Sequence, residues 1–308
     1  MHRLDEFNGD DRLKMKCLQY ENFSIEAQNL FQMENYDGFR AEVTKTVART
    51  LQTSYSLMLG TSTFRGYSYQ LGPTFHSSDG KTIVLGRVNN EGIVSGRVSH
   101  SINDSIETRI SVNSSLRDEN KNMGEISLDY NGFRSSYSLK FAYQGMYLIN
   151  GSFSQLITNS LQLGGDLTLV TANNTSIMSI GSRYQKGKNI FFSQITRQPD
   201  FSSSVRMLSN VHSIKSTFFR KVSERLSLAS EFETSIPSYE STLRFGYEYL
   251  FKTARIQGVV DTYGKISLLC QDNKGFGVSG VIDYFKDEYK FGFMMQFAPQ
   301  DKEDDLSQ

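Results

Sequence analysis

Tryptophan is absent from the 308 residues, cysteine occurs twice and proline four times. Two cysteines, Cys17 and Cys270, cannot build a disulfide scaffold or a cysteine-rich zinc site. Four prolines leave no Pro-rich linker. No stretch approaches the roughly 20 apolar residues of a transmembrane helix. An excess of one charge is lacking too: 33 Lys and Arg balance 33 Asp and Glu, which excludes a strongly basic nucleic-acid binder. The opening Met1–Lys16 is charged and has no apolar core, so no secretory signal peptide is expected. The first 37 residues carry eight acids and four bases, too acidic for a transit peptide. Helix hydropathy is blind to barrels, so a soluble protein and a membrane barrel both stay open.

Catalytic signatures are missing as well. There is no Walker loop, dinucleotide fingerprint, His-Glu-x-x-His or Gly-x-Ser-x-Gly. His2, His76, His100 and His212 lie far apart and form no ligand pair. Neither a catalytic residue, a cofactor nor a metal is expected. Glu231 and Glu233 share one strand face at roughly 7 Å, a spacing compatible with acid/base work. Without partner residues in view, they read as a solvated acidic patch.

What the chain does contain is 22 Phe, 16 Tyr and 24 Gly arranged with period two. Tyr137, Leu139, Phe141 and Tyr143 alternate with Ser136, Ser138, Lys140 and Ala142. Tyr55, Leu57 and Leu59 oppose Ser54, Ser56 and Met58, and Leu243, Phe245, Tyr247 and Tyr249 oppose Thr242, Arg244, Gly246 and Glu248. Such alternation makes strands with one apolar and one polar face. Turn signals fall at Asn89-Asn90-Glu91-Gly92, Asn131-Gly132, Asn150-Gly151, Ala172-Asn173-Asn174 and Lys186-Gly187-Lys188. Residues 38–297, 260 positions, then divide into 19 or 20 strands, the ambiguity lying in 187–212. Strands of soluble sandwiches average about 5 to 6 residues, roughly half these runs. The pattern therefore points to an all-β, antiparallel meander closed as a transmembrane barrel. Before it, residues 1–37 hold a short amphipathic helix over about 22–33, with Phe23, Ala27, Leu30 and Phe31 on one face and Asn22 or Ser24 as cap. After it, residues 298–308 form an acidic tail.

With the apolar face toward lipid, the polar face lines a pore too wide for side chains to fill. Parity gives lumen acids at Glu42, Glu107, Glu125, Asp129, Asp166, Glu231, Glu233, Glu248, Asp261 and Asp283. It gives lumen bases at Arg40, Arg97, Arg109, Arg134, Lys140, Arg244, Arg255 and Lys290. A wall of mixed sign suits a polar, extended, amphipathic cargo better than one small anion. Glu125, Asp129, Asp166, Glu231, Glu233, Asp261 and Asp283 are the acids expected to contact such cargo. Pairing of these charges across strands is the alternative.

In the last run, Phe291, Phe293, Met295 and Phe297 face lipid, and Lys290, Gly292, Met294 and Gln296 face inward. Lys290, Gly292, Met295 and Phe297 fit the pattern polar, any, Gly, any, any, hydrophobic, any, hydrophobic. This resembles the β-signal by which mitochondrial outer-membrane barrels are recognised by their assembly machinery. The wider run Ile282-Asp283-Tyr284-Phe285-Lys286-Asp287-Glu288-Tyr289-Lys290-Phe291-Gly292-Phe293 is similar to the C-terminal signature of one family of the mitochondrial porin superfamily: the channel subunits of the outer-membrane translocase. Asp37-Gly38-Phe39-Arg40-Ala41-Glu42-Val43-Thr44-Lys45 resembles that family's first strand. Leu161-Gln162-Leu163-Gly164-Gly165-Asp166-Leu167 and Arg255-Ile256-Gln257-Gly258-Val259-Val260-Asp261 resemble later strands.

The resemblance implies 19 strands with the first and last parallel, and an N-terminal helix inside the lumen. It implies import of unfolded precursor proteins across the mitochondrial outer membrane, with both termini in the intermembrane space. The implied partners are precursors and their presequences, small single-span translocase subunits, receptor subunits, membrane lipid and a second copy in a homodimer or higher assembly, with no nucleic acid. Two alternatives stay open. One is the voltage-dependent anion channel, whose Gly-Leu-Lys motif is met here only by Ser138-Leu139-Lys140. The other is a non-conducting β scaffold.

Overall fold

The computed structural model describes residues 16–60, 66–117, 122–199 and 210–297. The expected acidic tail, 298–308, lies outside the described residues. Strands follow one another as β1 Gly38–Ala48, β2 Leu51–Leu59, β3 Tyr67–His76, β4 Thr82–Asn89, β5 Ile93–Asn103, β6 Ile106–Ser115 and β7 Met123–Asn131. Next come β8 Ser135–Tyr143, β9 Tyr147–Thr158, β10 Leu161–Val170, β11 Thr175–Lys186, β12 Asn189–Pro199 and β13 Asn210–Lys221. The remainder are β14 Leu226–Ile236, β15 Ser241–Leu250, β16 Ala254–Asp261, β17 Lys265–Asp272, β18 Phe276–Asp283 and β19 Glu288–Phe297. Each pairs antiparallel with its neighbour in one 19-stranded sheet, and the ambiguous stretch resolves into β12 and β13.

Closure follows from the count. In a meander, strands alternate in direction, so with an odd number the first and last point the same way. They can join only in parallel. Gly38–Val43 accordingly pairs with Gly292–Phe297 in parallel register. Parallel ladders are slightly weaker per residue, but closure leaves no free edge. A second weak place lies at Gly72-Pro73. Pro73 has no N–H to donate, and the β3–β4 ladder skips from Leu71↔Val88 to Thr74↔Leu85.

Expected faces and observed faces agree along most strands. Tyr137, Leu139, Phe141 and Tyr143 are exposed on the outer wall, as are Phe291, Phe293 and Phe297. Ser136, Ser138, Ser152 and Ser154 are buried on the inner one. The Asn150-Gly151 turn is corrected: both residues sit inside β9, and the chain reverses at 144–146 instead. Asn150 is turned inward, and its amide donates to Asp166 at 2.5 Å and to Thr168 at 2.8 Å. Those bonds satisfy in a strand a side chain that otherwise favours turns. Arg134, expected in the lumen, lies in the turn before β8.

Alternation also sorts the turns. Those after odd-numbered strands lie at one rim, here the far rim, and those after even-numbered strands at the other. The β7–β8 turn and the end of β19 therefore share the far rim.

Gly292 marks the seam. A Cβ there would collide with the Tyr36 carbonyl and ring. Gly292→Val is expected to cost about 3 kcal/mol and to deplete the compact band in semi-native electrophoresis. Gly96→Val, at a site with open space around it, is expected to leave that band unchanged.

Candidate functional site

Residues 16–37 do not fold apart from the barrel; they lie along its inner wall. At the far rim the Cys17 N–H donates to the Phe133 carbonyl at 3.2 Å. Gln162 Nε2 donates to the Leu18 carbonyl at 2.6 Å, and Ser154 Oγ to the same oxygen at 2.5 Å. Cys17 is 3% exposed. A 3₁₀ turn at Tyr20–Asn22 follows, then a helix α1 at Ile25–Phe31, shorter than the expected 22–33. Ser24 is its N-cap but makes no side-chain capping bond; its Oγ accepts from Gln28 Nε2 at 2.9 Å instead.

The expected apolar face is brought together against the wall. Phe23 is fully buried and meets Tyr20 and Phe192 edge-on, with ring centroids 5.2 and 6.1 Å apart. Ala27, Leu30 and Phe31 pack on Ala229 and Phe219. Further on, Met33 and Tyr36 pack on Leu269 and Met294. Glycines on the inner face make room for this track. A Cβ at Gly164 would strike Tyr20, and one at Gly246 would strike Leu30. Burial pushes the Tyr36 phenol up to about 12, so it stands in the wall as a neutral ring.

Charge fixes the segment at its middle. Arg183 on β11 is 1% exposed. Its guanidinium donates to both Glu26 oxygens, at 2.8 and 2.6 Å, and to the Phe23 carbonyl. Such a planar two-bond pair fixes direction as well as charge. Lys140 on β8 pairs with Glu21, and Arg40 on β1 with Glu34 at 3.2 Å. Arg183 is missing from the bases inferred by parity, as is Lys215. Counting inward from exposed Tyr184 and Phe218 would have found both.

The acids expected to meet cargo are placed as follows. Asp129 is 1% exposed and accepts from Arg109 at 2.8 Å. Glu231 is 4% exposed between Lys215 at 2.8 Å and Arg244 at 3.5 Å. Arg244 also reaches Asp261 at 3.4 Å. Asp129, Glu231 and Asp261 thus spend their charge on neighbouring cations. Asp166 accepts from Asn150, Glu233 from Ser213 at 3.3 Å and Asp283 from the Lys286 N–H at 3.1 Å. Glu125 makes no ion pair among the described residues. Of the residues expected to form an assembly signal, Lys290 pairs with Glu288 at 3.5 Å, Gly292 lies under Tyr36, and Met295 and Phe297 stand opposite Ala41 and Val43.

The segment touches the wall from the β7–β8 turn round to β1. Among the described residues, none of the contacts made by residues 16–36 falls on the inner faces of β2–β6. They present Ser54, Ser56, Ser95, Ser99 and Ser111, with Arg87 and Arg97 exposed and in no ion pair among the described residues. This part of the lumen wall is polar, of mixed charge and open.

Comparison with known proteins gives the same architecture a family context. A family model described as eukaryotic porin matches residues 17–292. The chain is 26% identical over 291 residues to the probable mitochondrial import receptor subunit TOM40-2 of Arabidopsis thaliana, covering 89% of this chain and 88% of that protein. The mitochondrial import receptor subunit TOM40 homolog of Xenopus laevis is 21% identical over 262 residues, covering 79% and 71%. A second TOM40 homolog, from Drosophila melanogaster, is 20% identical over 285 residues, covering 85% and 78%.

Loss of Arg183 would remove two hydrogen bonds to Glu26 and one to the Phe23 carbonyl, and with them the charged anchor of the segment. In a Cys270→Ser background, Arg183→Gln is expected to raise the rate of maleimide labelling at Cys17 at least ~10-fold. Labelling no faster than in the parent would show that Arg183 does not hold the segment down.

Proposed function

The chain belongs to the eukaryotic porin family, and on that premise we propose that its barrel conducts unfolded precursor proteins across the mitochondrial outer membrane. One observation carries this reading. The N-terminal segment is held against part of the wall, and the inner faces of β2–β6 are left as a polar passage of mixed charge. An extended polypeptide presents both signs and many hydrogen-bonding groups, and a serine-rich wall with isolated charges can solvate it without trapping it. The relatives' names support the same reading, since each is a mitochondrial import receptor subunit.

Selectivity separates this from a metabolite pore. Arg40, Arg109, Lys140, Arg183, Lys215, Arg244, Arg255 and Lys290 are each neutralised by a carboxylate. That pairing weighs against a strongly anion-selective pore. Among the described residues, Glu125, Asp166, Glu233 and Asp283 are the expected cargo acids outside ion pairs, and we assign them the weak contacts to basic presequences. The same reading takes Lys290, Gly292, Met295 and Phe297 as the segment that assembly machinery recognises. It takes small single-span subunits, receptor subunits and a second copy of the chain as partners. Cys17 and Phe297 stand at one rim, which supports placing both termini in one compartment, the intermembrane space.

Single-channel recording in a planar bilayer tests the proposal. A basic amphipathic presequence peptide is expected to block the current transiently and with voltage dependence. The combined change Glu125→Gln, Glu233→Gln, Asp283→Asn is expected to raise the half-blocking concentration about tenfold. An anion-preferring pore indifferent to the peptide would instead favour metabolite exchange.

A further inference from the structure

Cations on the outside of the far rim are arranged differently from those inside. On the outer face, Lys186 at the end of β11 stands opposite Asn189 of β12, which stands opposite Arg220 of β13. Lys188 lies in the turn between β11 and β12, and Arg225 in the next turn along the same rim. All four bases are exposed, and none forms an ion pair among the described residues. One acid, Glu224, shares the second turn. The Lys221 N–H donates to the Lys188 carbonyl at 3.1 Å, tying the end of β13 to the β11–β12 turn.

Two residues below this basic row, roughly 7 Å along the strands, lies an aromatic one. Tyr184 stands opposite Phe191, and Phe191 opposite Phe218, all three exposed on the same outer face. A basic row at the rim above an aromatic row on the wall has the two-part chemistry of a phospholipid: anionic phosphate at the interface, acyl chains below it. Long basic side chains extend readily to that interface while their stems stay on the apolar wall. A soluble acidic partner would use the cations and leave the aromatic row unexplained.

We propose that Lys186, Lys188 and Arg220 form a binding site for the headgroup of an anionic phospholipid, whose acyl chains lie over Tyr184, Phe191 and Phe218. The site faces lipid and not the pore, so it stands or falls independently of what the pore conducts.

Full-length protein in detergent, titrated with short-chain phosphatidylinositol or phosphatidylcholine and read by native mass spectrometry, tests this. The anionic lipid is expected to bind preferentially, and K186Q/K188Q/R220Q to weaken it about a hundredfold. The charge-keeping variant K186R/K188R/R220K is expected to bind as the parent does. Inorganic phosphate at equal concentration is expected not to displace the lipid. Equal binding of the two lipids, unchanged binding by the Gln variant, or displacement by phosphate alone would overturn the proposal. Should the Gln variant fail to fold, the parent decides: binding of the anionic lipid must fall as salt rises, and insensitivity to salt overturns it.

Discussion

A peptide segment inside a water-filled barrel has no core of its own, and what holds it here is one buried cation. Arg183 sits on the inner wall with almost no exposure and is neutralised by Glu26 from α1. A lone guanidinium at that depth would be strongly destabilising. Arg183 therefore requires Glu26, whose own carboxylate is still reached by water. The apolar contacts of Phe23, Ala27 and Leu30 add area but are short-range and non-directional. The paired charge sets which part of the wall the segment lies on. From that follows which part of the lumen stays open.

The barrel's closure imposes the second constraint. Nineteen strands force β1 and β19 into parallel pairing over Gly38–Val43 and Gly292–Phe297. The chain enters β1 through Tyr36, whose carbonyl accepts from Ser279 Oγ, so the segment is anchored to the seam at one end. At its other end Cys17 is anchored to the β7–β8 turn. A chain tied at both ends and pinned by Arg183 in between has little freedom to sweep the lumen. The seam and the segment stabilise one another: Gly292 admits Tyr36, and Tyr36 covers Gly292.

The strands were largely legible in the sequence, because period-two alternation survives wherever one face meets lipid and the other water. Tyr137, Leu139, Phe141 and Tyr143 needed no more than their spacing. Asn150-Gly151 misled because a turn-favouring dipeptide can sit in a strand when its polar side chain finds a partner across the sheet, here Asp166. Apolar spacing indicated α1 but not its ends, since Ser24 does not cap it with a side-chain bond. Parity gave most lumen charges but not their partners. Glu26 lies 157 residues from Arg183, a pairing that only the closed barrel creates. Without those partners, Asp129 and Glu231 look free for cargo when they are bound to neighbouring cations. The resemblance to the import-channel family agrees with the similarity of most of the chain to TOM40 proteins.

The central claim is that the passage runs along β2–β6 and not along the wall beneath the segment. Single-cysteine scanning during single-channel recording tests it directly, in a Cys17→Ser, Cys270→Ser background. Ser56→Cys, Ser95→Cys and Ser111→Cys should react with a charged methanethiosulfonate and step the current down. Ser152→Cys, Ser179→Cys and Ser267→Cys, at buried positions on the covered wall, should not respond. Equal reaction of both sets would mean that the segment leaves the wall in the conducting state, and a passage confined to β2–β6 would be contradicted.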